Sequence, residues 1–114
     1  MSDTGSTEFI PEGKWTKIAK ASTVGKGEMT GASVGETELA VYNVDGKLFA
    51  TDNICTHEFA LLTDGTLEGA LVVCPYHQGK FDVRDGKVAA APPCKDLRTF
   101  RVRVTGDDIE VLVP

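Results

Sequence analysis

Cys55-Thr56-His57, sixteen intervening residues, then Cys74-Pro75-Tyr76-His77 is the stretch on which the reading of this chain turns. The 114 residues contain only two histidines and three cysteines, and this stretch takes both histidines and two of the cysteines. Thiolate and imidazole together suit zinc, iron-sulfur clusters and copper, so the ligand types alone leave the metal open.

The arrangement says more. Structural zinc usually takes a Cys pair from one knuckle and a second pair from another, whereas each half of this stretch supplies one Cys and one His. Each loop is then able to reach two metal atoms, as a two-iron centre with both Cys on one iron and both His on the other requires. A mononuclear Cys2His2 zinc site on the same four residues is the alternative. A nucleophile and base pair built from one Cys and one His is a third reading, but it leaves the repetition unexplained and has no identifiable Asn or Asp to orient the base.

Working outward, strands are expected on both sides of the stretch. Glu38 to Val44 alternates Leu39 and Val41 against Ala40, Tyr42 and Val44, and Asp45-Gly46 then leads into Lys47-Leu48-Phe49-Ala50. An Asp-Gly pair between two β-prone runs signals a two-residue hairpin, because the primed turns need positive φ. That hairpin delivers the chain to Cys55, and the apolar run Ala70-Leu71-Val72-Val73 delivers it to Cys74. Asp85-Gly86 predicts another hairpin between Lys80 to Val83 and Lys87 to Ala89, while Pro92-Pro93 excludes a central strand. Leu97 to Val104 reads as one strand, with Phe100, Val102 and Val104 on the face opposite Arg101 and Arg103. After a turn at Gly106-Asp107-Asp108, Ile109, Val111 and Val113 share a face.

Towards the N-terminus, Lys14 to Ala19 reads as a first strand with Trp15 as a core or edge anchor, and Gly25 to Gly35 as one short strand between turns. Residues 1–13, rich in Ser, Thr, Gly and Glu, read as a tail in which Phe9-Ile10 is the one sizeable apolar pair. No stretch carries an apolar period of 3.6 over three turns, so the fold class is all-β.

On these residues the sequence resembles the Rieske iron-sulfur family, whose pattern is C-x-H, a connector of about this length, then C-x-x-H-x-G, here Cys74-Pro75-Tyr76-His77-Gln78-Gly79. The similarity extends through Ala50-Thr51-Asp52-Asn53-Ile54, Gly79-Lys80-Phe81-Asp82-Val83 and Ala91-Pro92-Pro93, and covers Lys14 to Val113. It is strongest to the small Rieske ferredoxins that serve bacterial aromatic-ring-hydroxylating dioxygenases. The resemblance implies a single Rieske domain over 14–114, with a sandwich or barrel-like base of antiparallel sheets and an inserted cluster-binding module at about 53–94. It implies one [2Fe-2S] Rieske cluster held by Cys55, His57, Cys74 and His77, with Cys94 outside the ligand set and the proline loop covering a third side. Glu58 stands where such ferredoxins often carry Gly.

The function implied is that of a one-electron carrier from a flavin-containing reductase to a terminal oxygenase, not of an enzyme by itself. Catalytic oxygenases that share the cluster also carry a mononuclear iron on two His and a carboxylate, and no histidine remains here to build that site. An electron-transfer subunit of another reductase or oxidase is the alternative within the resemblance, and a zinc-stapled interaction module the alternative outside it. High-potential relatives in cytochrome bc complexes add a loop-to-loop disulfide and two hydroxyl donors to the cluster sulfurs. Ala60 and Tyr76 occupy the disulfide positions and Gly79 and Phe81 the hydroxyl positions, so the expected potential lies at the low end of the Rieske range, on the order of −150 mV.

Composition sets the remaining bounds. A net charge of −5 and a pI of about 4.9 argue against nucleic acid or an anionic membrane and suit basic patches on partner proteins. No apolar run approaches the roughly 18 residues of a membrane span, and Met1-Ser2-Asp3-Thr4-Gly5 lacks the basic and apolar regions of a signal peptide, so a soluble, cytoplasmic monomer is expected. Three cysteines with two committed as ligands make no disulfide framework, which fits a reducing compartment.

Overall fold

The computed structural model describes residues 13–55, 60–76, 79–91 and 95–114. Within them the chain forms β1 (Lys14–Lys20), β2 (Met29–Val34), β3 (Thr37–Val44), β4 (Lys47–Asp52), β5 (Thr66–Glu68), β6 (Leu71–Val73), β7 (Lys80–Asp82), β8 (Val88–Ala90), β9 (Thr99–Phe100), β10 (Val102–Thr105) and β11 (Asp108–Val113). Two short 3-10 turns, Ala21–Thr23 and Leu62–Asp64, are the only helical pieces among the described residues. The strands make three antiparallel sheets in the orders β9-β4-β3-β2, β10-β11-β1 and β5-β6-β7-β8. The fold is all-β, as expected, and the third sheet is drawn entirely from the chain between β4 and β9.

β3 is the strand around which the layers pack. Its Leu39, Ala40, Val41 and Tyr42 are all fully buried, so both of its faces are covered. Successive side chains of a strand point to opposite faces. Leu39 and Val41 accordingly join Ala50, Ile109, Val111 and Val113 in a core under the second sheet, while Ala40 and Tyr42 join Leu62, Val72, Phe81 and Val83 in a core under the third. A run that reads in sequence as half-buried alternation thus separates two hydrophobic cores.

The Asp45-Gly46 hairpin forms as expected: Val44 pairs with Lys47, and both turn residues have positive φ, 53° at Asp45 and 96° at Gly46. Asn43 Oδ1 accepts from Gly46 N–H at 2.7 Å and tightens the turn. The second Asp-Gly hairpin differs in its turn. Asp85 stays outside the positive-φ region, Gly86 N–H donates to Asp82 O at 2.7 Å, and five residues separate β7 from β8. The reason is packing: Leu97 N–H donates to Gly86 O, and a Cβ on Gly86 would overlap Leu97 O.

The expected single strand from Leu97 to Val104 is two strands. β9 pairs with β4 and β10 pairs with β11, so the chain changes sheets at Arg101, whose carbonyl accepts from Leu112 N–H at 3.0 Å. A change of sheet breaks the common face, and Val104 ends 48% exposed. Simple alternation cannot reveal such a corner, because the pattern of apolar residues continues through it.

Candidate metal centre

The two loops that hold the candidate ligands are closed alike. β4 runs into Asn53 and Ile54, an isolated bridge joins Ile54 to Leu61, and Cys55 N–H donates to Ala60 O at 2.9 Å. β6 runs into the second loop, where Cys74 N–H donates to Gly79 O at 2.8 Å. In both cases the cysteine amide closes the loop on the carbonyl five residues further on. A strand thus holds each cysteine from one side and the returning chain from the other, which is the rigid support a metal site needs.

Cys55 and Cys74 are 3% and 2% exposed and belong to one core with Ala60, Leu62, Val72, Phe81 and Leu97. Of the four expected ligands these two are described, and the structure brings them into the same core. His57 and His77 lie outside the described residues, as do Thr56, Glu58, Gln78, Cys94 and Pro92-Pro93. Among the described residues no group of three His, Cys, Asp or Glu side chains gathers elsewhere. The environment is one a soft metal centre fits: two buried thiols in an apolar core, each followed in sequence within three residues by a histidine.

The loop rims differ in character from their floor. Tyr76 is 69% exposed and Leu61 36%, while Ala60 and Gly79 are buried. Beside Cys74 a cleft of about 240 Å³ is lined by Asp64, Gly65, Thr66, Val73 and Pro75. A Cβ on Gly65 would overlap Val73 O, so glycine is needed where the first loop's return presses on β6.

Two Arg–Asp forks have their carboxylates on the strands that lead to the two cysteines or follow them. Arg84 forks onto Asp82, Nε to Oδ1 at 3.0 Å and Nη2 to Oδ2 at 2.7 Å, and this guanidinium holds the Asp82 carboxyl below the usual carboxylate range. Arg98 forks in the same way onto Asp52 at 2.9 and 3.0 Å, and Asp52 N–H donates to Arg98 O. The second fork ties the end of β4 to the segment that precedes β9.

Sequence reasoning passed over Asn53. Its side chain is 2% exposed and bonds Thr63 twice, accepting from Thr63 N–H at 3.0 Å and donating to Thr63 Oγ1 at 2.9 Å. Nothing in the local sequence separates it from a solvated loop asparagine, since its partner lies ten residues away.

The family model of the Rieske [2Fe-2S] domain matches residues 14–101. The chain belongs to this family. The ferredoxin component of the naphthalene 1,2-dioxygenase system of Pseudomonas putida is 40% identical to this Rieske protein over 100 residues, which span 88% of this chain and 94% of that one. Among solved structures, the Sphingomonas yanoikuyae B1 ferredoxin superposes with a TM-score of 0.84 at 35% identity, covering 89% of this chain and 100% of that one. The complex of reduced oxygenase and oxidized ferredoxin in carbazole 1,9a-dioxygenase contains a chain that superposes at 0.82 with 37% identity, covering 86% of this chain and 92% of its own length. This Rieske protein is an electron carrier with one [2Fe-2S] cluster, and it is not a catalyst by itself.

Proposed function

We propose that this Rieske protein passes single electrons from a flavin-containing reductase to a terminal oxygenase that hydroxylates an aromatic ring. The observation that carries the reading is the pair of buried cysteines, each with its amide bonded to the carbonyl five residues on, in a chain whose relatives are ferredoxin components of dioxygenase systems. Cys55 and Cys74 are assigned to one iron and His57 and His77 to the other, within a module of about residues 53–94 set on the base of a single domain spanning 14–114. When bound, the cluster supplies reversible uptake of one electron. Burial of the two cysteines keeps water from the thiolates, and the two histidines are assigned as the side of contact with partners. Each visit delivers one electron, so a two-electron dioxygenation takes two visits.

Reconstitution with the reductase and oxygenase of a bacterial ring-hydroxylating system tests this. Nicotinamide-driven product formation is expected to need this chain, to be abolished by His57→Cys or His77→Cys, and to survive Cys94→Ser. The KM for the carrier should rise between about 0.01 M and 0.15 M salt, as the Debye length falls from about 30 to 8 Å and attraction to basic docking patches is screened. Product formation that proceeds equally well without the chain would overturn the assignment.

A further inference from the structure

We propose that Asn53 and Thr63, with Gly31 packed behind them, form a latch that holds the first cluster loop closed, and that Asn53 is thereby a positioning residue for the metal centre. The proposal rests on the reading of Cys55 and His57 as ligands. The two residues stand on either side of the neck through which this loop leaves and rejoins the body. Asn53 N–H donates to Glu38 O at 2.8 Å, which fixes the residue to β3, and Asn53 O accepts from Leu62 N–H at 2.8 Å. The side chain adds the two bonds to Thr63. Beyond the neck, among the described residues, the Ile54–Leu61 bridge and the bond from Cys55 N–H to Ala60 O continue the closure.

Asparagine is suited to this place for a chemical reason. Thr63 N–H is a donor and needs an acceptor, and Asn53 Nδ2 at the same time donates to Thr63 Oγ1, so a neutral group with both functions is required. Aspartate would lose the donor and bury a charge, while an aliphatic residue would orphan the Thr63 amide. Asn53 is buried and Thr63 half-buried, so removing either partner leaves a polar atom poorly served by water, and relief comes most easily by opening the neck.

Gly31 makes the latch testable from a distance. It lies on β2, paired with Ala40 of β3, and its φ is not positive, so alanine fits the strand's own backbone. A Cβ there, however, would sit 2.8 Å from Asn53 Nδ2 and 3.1 Å from Thr63 Oγ1. The two side chains on which it would press are those of the latch.

The experiment compares four full-length variants, Asn53→Ala, Thr63→Val, Thr63→Ser and Gly31→Ala, with the wild type as isolated holoprotein. Thr63→Val and Gly31→Ala should release iron to a chelator at least about tenfold faster, the scale on which supporting residues influence metal sites. In both, the EPR spectrum of the reduced centre should broaden as the loop samples several positions. Thr63→Ser keeps the hydroxyl acceptor and should match the wild type in both readings. Asn53→Ala should resemble Thr63→Val, and if it fails to fold the other three still decide. Wild-type release rates and unchanged spectra in both Thr63→Val and Gly31→Ala would overturn the latch, as would lowered thermal stability with an unchanged spectrum. A wild-type protein without iron would instead sink the ligand reading beneath it.

Discussion

Phe81 shows what one residue contributes to the electron carried. It is fully buried on β7, between Val72 of β6 and Val88 of β8, and shares the core of Cys55 and Cys74. By resemblance its position carries a hydroxyl donor to the cluster in high-potential relatives, and phenylalanine has none. The extra negative charge of a reduced centre is then less stabilised. Phe81→Tyr is expected to raise the reduction potential by tens of millivolts, because a hydrogen bond to a charged acceptor is worth roughly 1.5–3 kcal/mol at best and less when its geometry is compromised. Protein-film voltammetry reads it, and a fall in potential would mean that the hydroxyl finds no acceptor and only costs burial. At this scale the sequence was legible where chemistry is rare: two of three cysteines and both histidines in one stretch stand out against any background. Asn53 was not legible, because an asparagine declares its role only through the partner the fold brings to it.

Among the elements, turns chosen by backbone chemistry were readable and those shaped by packing were not. Asp45-Gly46 forms its two-residue hairpin because both residues take the positive φ that the turn requires, and Asn43 Oδ1 supports it locally. Asp85-Gly86 is held by the Leu97 segment and takes a longer course, and the corner at Arg101 is set by a second sheet that arrives from β11. β5 escaped notice because three residues of mixed polarity carry too little pattern. The outer elements are tied by carboxylates whose pKa values the fold lowers: Asp82 through Arg84, Asp107 through Ser22, and Glu110 through Arg103 and Thr105. Each binds its proton less readily folded than unfolded. Their contribution is therefore present above the ordinary carboxylate pKa of about 4 and is lost as pH falls through the lowered folded values. Urea unfolding followed by circular dichroism should show a midpoint steady from about pH 7 to 5 and falling below about pH 4. A midpoint that held steady into that acid range would mean that these carboxylate contacts contribute nothing.

Across the whole molecule the charge is unevenly placed. Residues 1–12 hold three acidic and no basic residues, residues 53–97 hold six acidic and four basic, and the rest is balanced. The acidity legible in the composition therefore belongs to the N-terminal segment and to the stretch that holds the candidate ligands, and the remaining strands contribute none of it. This division is the physical source of the salt dependence expected for carrier turnover. The all-β architecture was legible from hairpin signals and from the absence of any helical period. The separation of two cores by β3 was not, because a strand buried on both faces and one buried on a single face can begin with the same alternation of apolar residues. Electron transfer, the effect of Phe81→Tyr and the latch at Asn53 all depend on the nature of the metal centre. Iron and acid-labile sulfide analysis of the purified protein, with an EPR spectrum after reduction, tests it most directly. Two irons and two sulfides per chain with a Rieske-type spectrum are expected, and one zinc per chain with no sulfide would contradict it.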